Sequence, residues 1–173
     1  MILTDDYIMP ESPECTLMAS AIRNIINNKK LKSINILGGK YLKNGQPCLQ
    51  NLNELSQHLP LTVKSVNIKG KFCWIELDKN WYISITFGMS GGIYYEPTES
   101  TLNDYSIQNG KKITKDEYMK HFHILFESTT GDRFYFGDPR RFGNISIAND
   151  RIDLDKKLAE LGPDMLTGTP ISD

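Results

Sequence analysis

The sequence predicts a mainly β domain: a two-layer β-sandwich of about eight strands flanked by helices. Three observations carry this. Alternating apolar and polar runs recur from Ser33 to Ala148, each bounded by glycine, proline, asparagine or aspartate. One helical stripe precedes them and another follows. At 173 residues the chain is large enough for a real core, and one domain is the prior.

The elements follow in order. Ser12 as N-cap, Pro13 at the first helical position and Glu14 in the first turn predict a helix start. Leu17, Met18, Ala21, Ile22, Ile25 and Ile26 then form an apolar face, which Asn27-Asn28 ends. That stripe reads as core packing. The helix dipole favours anions at its start. Ser33 to Leu37 reads as a strand closed by Gly38-Gly39, and Tyr41 to Cys48 as a loop. Leu52, Leu55 and Leu59 predict a short helix stopped by Pro60. Strands are expected over Leu61–Ile68, Lys71–Leu77 and Trp81–Phe87, with a bend at Gly70 and a turn at Asp78-Lys79-Asn80. Gly88-Met89-Ser90-Gly91-Gly92 reads as a flexible loop, and 96–112 as a polar, irregular surface excursion. Further strands are expected over His121–Phe126, Arg133–Phe136 and Asn144–Ala148. The loop Gly137 to Gly143 lies before the last of them. A final helix runs through Leu154, Leu158 and Leu161 to Gly162-Pro163.

Composition excludes several classes. The formal net charge is −1 and the sequence pI about 6.3, so there is no global basic footprint, and a nucleic-acid site would have to be a local patch. Cys15, Cys48 and Cys73 are scattered and odd in number, which suggests neither a disulfide framework nor a Cys-x-x-Cys zinc site. An intracellular, reducing setting is expected, with no membrane partner. The first eight residues do not read as a signal peptide, and no stretch is long enough to span a membrane.

The chemistry centres on Met9-Pro10-Glu11-Ser12-Pro13-Glu14. An exposed Pro10 terminus would be a secondary amine. An α-amino group titrates near about pH 8, so part of it is free base at neutral pH. Such an amine forms an iminium with a sugar aldehyde. Glu11 would stand beside it as proton donor or acceptor. In the chain as written Pro10 is an amide with no nucleophilic lone pair. The alternative for this stretch alone is the accident of a helix start. Lys71 beside Gly70 has its own plain alternative, a strand-edge lysine in water. His121-x-His123 is a candidate metal pair without a third ligand, so no metal and no cofactor are expected.

Four blocks together resemble the N-terminal domain of the formamidopyrimidine-DNA glycosylase/endonuclease VIII family. They are Met9 to Glu14, Lys69-Gly70-Lys71-Phe72, Phe87-Gly88-Met89-Ser90-Gly91 and Asp138-Pro139-Arg140-Arg141-Phe142-Gly143. Lys120-His121-Phe122-His123 and Leu161-Gly162-Pro163 add to the likeness, which covers nearly the whole chain from Met9. The first three blocks look closer to endonuclease VIII-like members. The resemblance implies a DNA repair glycosylase with apurinic/apyrimidinic lyase activity, acting on damaged double-stranded DNA, with oxidised pyrimidines the expected lesion class. It implies that the Pro10 nitrogen attacks the sugar carbon, that Glu11 donates the proton in glycosylase chemistry, and that Glu14 is a supporting carboxylate. Lys71 would contact phosphate and assist β-elimination. His121 and Arg140 would contact DNA. Met89, Arg140 and Phe142 would fill the gap left by a flipped nucleotide. For these three the alternative is ordinary loop packing.

The departures are specific. Nine residues precede Pro10, so 1–9 reads as an extension or a mis-assigned start. Thr16 stands where many members carry another acidic residue. The catalytic sandwich would occupy 10–163, with 164–173 a truncated tail and the helix–two-turn–helix and finger region absent. A protein partner supplying that half is therefore one expectation. An inactive remnant or DNA-binding fragment is the second reading, and an unrelated β-sandwich binding module the third.

Overall fold

A computed structural model describes residues 11–88, 91–140 and 143–160, and the side chains from Glu14 onward within them. The elements are α1 (Glu11–Ile26), β1 (Lys30–Ile36), β2 (Leu42–Lys43), β3 (Gln46–Pro47), α2 (Leu52–His58), β4 (Leu61–Lys69), β5 (Phe72–Leu77) and β6 (Tyr82–Thr86). They continue with β7 (Gly92–Tyr94), α3 (Glu99–Asn109), α4 (Lys115–Tyr118), β8 (Phe122–Ser128), β9 (Arg133–Gly137), β10 (Asn144–Ala148) and α5 (Arg151–Ala159).

Eight strands form one antiparallel sheet in the order β10-β6-β5-β4-β1-β8-β9-β7. Its middle is narrow: β4 and β1 share only the pairs Lys30↔Thr62 and Leu31↔Leu61. The sheet therefore works as two four-stranded halves, the expected two layers. Ile34, Ile124, Phe126, Phe134 and Phe136 from one half join Ile75, Ile83, Ile85, Ile145 and Ile147 from the other in one buried cluster. Burying each such side chain stabilises the fold by about 1.5–3 kcal/mol, before the entropy of ordering is subtracted. β2 and β3 form a separate ribbon inside the segment expected to be a loop.

The first helix packs along β4. The Arg23 guanidinium donates to the Val66 carbonyl at 2.7 Å, and the Asn28 amide donates to the Val63 carbonyl at 3.0 Å. Near the other end, Cys15 neighbours Cys73 on β5, and burial together with that neighbour pushes the Cys73 thiol up to about 12. Cys73 pairs with Ile68. The helix therefore starts near the Lys69 end of β4 and runs toward its Leu61 end.

Several expectations are corrected. The α1 helix begins at Glu11, so Ser12 lies within it rather than capping it. Pro13 is tolerated there because the first-turn amides have no intrahelical acceptor. The buried face is Cys15, Ala19, Ile22 and Ile26, while Leu17 is 55% exposed. Leu17 sits off the stripe that faces the sheet. The strand expected from Ser33 begins at Lys30, and a short strand, β7, occupies Gly92–Tyr94 within the expected loop and its sequel.

The region 96–112 is not irregular. Helix α3 starts with the Thr98 hydroxyl accepting from the Thr101 amide and stops at Gly110 in the left-handed region, φ 70°. It buries no residue, so it carries no apolar stripe to read. The following turn, α4, has a capping box between Thr114 and Glu117. Glu96 ties the excursion to the sheet. Its carboxylate accepts from Lys115 at 2.7 Å, from Arg133 at 2.9 Å and from the Tyr135 hydroxyl. These bonds, that of Lys115 first, hold the Glu96 carboxyl well below its ordinary value of 4.5, at about 2.

A depressed folded-state value stabilises the fold above the unfolded value, and that contribution is lost as pH falls through the folded one. The tether is therefore expected to weaken between about pH 4.5 and 2. Protection of 96–120 against hydrogen exchange, referred to the intrinsic rate at each pH, should fall as pH drops through that window in the native protein and hold steady in Glu96→Gln. Equal acid sensitivity in both would remove Glu96 from this role.

Candidate functional site

One edge of the sandwich collects segments that are far apart in sequence. Lys69↔Phe72, Phe72↔Thr86 and Thr86↔Asn144 align across β4, β5, β6 and β10. Phe122↔Gly137 and Gly92↔Gly137 align across β8, β9 and β7. At this edge the chain crosses between halves twice, through 87–91 from β6 to β7 and through 138–143 from β9 to β10. The two crossings touch. A Cβ on Gly143 would stand 2.7 Å from the Thr86 carbonyl oxygen and 2.9 Å from that of Phe87. Gly91 closes the first crossing by donating its amide to the Phe87 carbonyl at 2.7 Å, and a side chain there would collide with that oxygen.

The sequence-derived residues fall on this frame as follows. Lys71 lies in the Gly70-Lys71 turn between β4 and β5, rather than starting the strand, and is half-buried. The strand begins one residue later because Phe72 pairs with Lys69. His121, exposed, immediately precedes β8, and its carbonyl accepts from the Asp138 amide at 3.0 Å. Arg140 is exposed in the second crossing. Glu11 opens α1 at the Lys69 end of β4, and Glu14 is exposed one turn on. Pro10, Met89 and Phe142 lie outside the described residues. Their neighbours Glu11, Gly88 and Gly143 belong to segments at this edge.

Sequence reasoning missed the brace beneath the second crossing. Asp138 is 1% exposed, and its Oδ2 accepts from the Gly143 amide at 2.6 Å. The buried His123 ring bonds the Asp138 carbonyl through Nε2 at 2.9 Å, so Nε2 carries the proton. A register shift between Phe122 and Ile124 interrupts the ladder at His123, which is why it is buried among buried neighbours on both sides. Gly39 packs against this ring so closely that a Cβ would come within 2.7 Å of it. Lys40 Nζ donates to the Gly143 carbonyl at 2.8 Å. The Ile145 amide donates to the Tyr41 hydroxyl at 3.0 Å, and burial pushes the Tyr41 phenol up to about 12. His123 is thus bonded into the loop. Among the described residues no group of three or more His, Cys, Asp or Glu is placed to hold a metal ion.

Asp138→Ala would leave the Gly143 amide without this acceptor in a buried position, a cost of about 1–3 kcal/mol. The expected fall in Tm is about 2–12 °C for a chain of this size. Asp138→Asn, which keeps an acceptor oxygen, should recover part of it in thermal unfolding followed by circular dichroism. A Tm unchanged in the alanine variant would show that Asp138 does not brace the loop.

A sandwich whose helix start, hairpin turn and two crossings between halves share one edge defines a class: a β-sandwich with a composite rim. Residues 9–145 match the profile of the formamidopyrimidine-DNA glycosylase N-terminal domain, and the chain belongs to that family. Among curated relatives, the formamidopyrimidine-DNA glycosylase of Ligilactobacillus salivarius is 26% identical over 157 residues, which covers 90% of this chain and 49% of that protein. That of Arabidopsis thaliana is 30% identical over 158 residues, covering 91% and 39%. The chain thus spans about half the length of the curated relatives it matches, or less.

Solved structures agree on the fold. The MutM (Fpg) protein of Thermus thermophilus superposes with a TM-score of 0.57 at 20% identity, over 87% of this chain and 45% of that one. The Lactococcus lactis Fpg, in complex with DNA containing an abasic site, gives 0.59 at 16% identity over 85% and 47%.

Proposed function

We propose that this chain is the N-terminal part of a DNA repair glycosylase and apurinic/apyrimidinic lyase of the endonuclease VIII type. The observation that supports this best is the convergence on one edge. The start of α1, the Lys71 turn, His121 and the Arg140 crossing come from four separate segments. That is the set the chemistry requires. A Pro10 amine would attack the sugar C1′ and expel the base, leaving a Schiff base. Glu11 would donate a proton during base loss. Lys71 and Arg140 would hold phosphates on either side, and Met89, Arg140 and Phe142 would occupy the space vacated by the extruded nucleotide. Strand cleavage by β-elimination then follows from the iminium. Further phosphate contacts would come from further chain or from a partner, since the curated relatives are about twice as long or more.

The test is strand cleavage of an abasic-site duplex, and of a duplex carrying an oxidised pyrimidine, by protein that begins at Pro10. Cleavage at the abasic site is the expected result. No cleavage on either substrate, with the Pro10 terminus verified by intact mass, would favour the second reading, a DNA-binding fragment. That reading draws on the chain's covering only about half of its relatives.

A further inference from the structure

Beside the proposed DNA edge lies a cavity of about 180 Å³ walled by the 96–120 excursion. We propose that it receives one unstacked nucleobase from the DNA strand passing the edge. This extends the DNA reading of that edge and rests on it.

The walls are aromatic. Tyr94 stacks on Phe122 with ring centroids 4.8 Å apart, Tyr118 meets Phe122 edge-on at 5.8 Å, and Tyr105 meets Tyr118 edge-on at 5.1 Å. Such walls suit a planar heterocycle of any sequence, because every base has a π face. The same walls carry polar groups. Tyr94, Tyr105, Tyr118 and Asp138 all line the cavity, and burial raises the Tyr94 phenol, with Tyr118, Tyr105 and Asp138 raising it further. A buried face with a few polar groups meeting over it is the usual form of a small-ligand site. Glu117 borders the same space, but its carboxylate is engaged in the capping box with Thr114.

Position and charge select the ligand. His121, Asp138 and Pro139 line the cavity, so it opens beside the crossing that carries Arg140. Lys120 and His121 stand at its border, where a phosphate attached to an inserted base would lie. Geometry also shows that the excursion is built rather than loose. Glu96 ties it to Arg133, Lys115 and Tyr135, and both of its helices are capped. Yet α3 buries no residue, and Tyr105 on it is 41% exposed. A helix that adds nothing to the core and supplies one wall of an aromatic cavity is accounted for by what the cavity holds.

The experiment uses the full 173-residue chain and two uncleavable probes, with affinity read by anisotropy. One is a short single strand carrying 2-aminopurine, and the other a duplex carrying a tetrahydrofuran abasic analogue. The native protein is expected to change 2-aminopurine emission on binding. Tyr105→Ala should weaken single-strand binding at least about fivefold. Tyr105→Phe, which keeps the ring, should not. Duplex affinity should change less than about twofold in either variant. Native protein that binds the duplex without affecting 2-aminopurine, or a Tyr105→Ala variant that binds the strand normally, would overturn the proposal. So would equal loss on both probes, which would make Tyr105 structural. An emission change together with failure of Pro10-started protein to cleave abasic DNA would sustain the base pocket and reject the glycosylase reading alone.

Discussion

Protein beginning at Pro10 is expected to form a borohydride-stable adduct with abasic-site DNA, and protein beginning at Met1 is expected to form none above background. The difference is one bond. Behind Met9 the Pro10 nitrogen is an amide whose lone pair is delocalised into the carbonyl, so it does not add to an aldehyde. As a terminus it is an amine titrating near about 8, with roughly a tenth of it free base at pH 7. A surface lysine near about 10.4 has only a few parts in ten thousand free at that pH. Trapping through Pro10 should therefore exceed lysine background by about two orders of magnitude at equal access. The location suits the reaction, because the start of α1 approaches the Lys71 turn at the rim. Intact-mass analysis of the terminus and of the trapped species checks the result. Equal trapping by the two proteins would refute the Pro10 assignment and direct attention to a lysine.

Most of this edge was legible because its residues are cheap to read. Glycine marks a crossing, Gly70 marks the bend that Lys71 turns out to share, and Arg140 in a Gly/Pro-bounded loop has no place in a core. The strands were legible for a similar reason, since Leu61–Lys69 and Phe72–Leu77 alternate across one buried face. What stayed hidden depends on partners distant in sequence. Cys15 and Ala19 read as neutral, yet they are the face α1 turns to the sheet, and the more apolar Leu17 is outside it. Helix α3 buries no residue and so shows no apolar stripe, although Thr98 and Gly110 carry the residue types of its caps. The brace was hidden most deeply. His123 sits in a run of buried residues that alternation does not predict, and only the register shift in β8 explains it. Asp138 before a proline reads as a surface turn, whereas it is almost wholly buried around the Gly143 amide. An aspartate five residues before the glycine that immediately precedes a strand is the one signal that was available.

Binding of this domain to DNA is expected to be weak and steeply salt-dependent, so that in protein beginning at Pro10 the cleavage of abasic sites outlasts the excision of oxidised bases. The edge offers a small number of cations to phosphate. Among the described residues, Lys71 and Arg140 are placed for this, with Lys120 beside the aromatic cavity. Each phosphate neutralised contributes about 0.9 to the slope of log affinity against log salt. Two to three contacts therefore lose about ten- to fortyfold in affinity between 50 and 200 mM salt. Extruding a paired base costs a few kcal/mol, which must be drawn from those same contacts, whereas an abasic site needs little extrusion. Raising salt should therefore abolish excision first. Lys71→Ala should weaken binding to all sequences alike and reduce the slope by about one contact. If the slope and the elimination rate were both unchanged, Lys71 would be an ordinary solvated turn lysine. A gel assay of abasic and oxidised-pyrimidine duplexes across a salt series reads both effects. Tight binding at physiological salt with efficient excision would refute this account and show that the sandwich alone grips and extrudes its substrate.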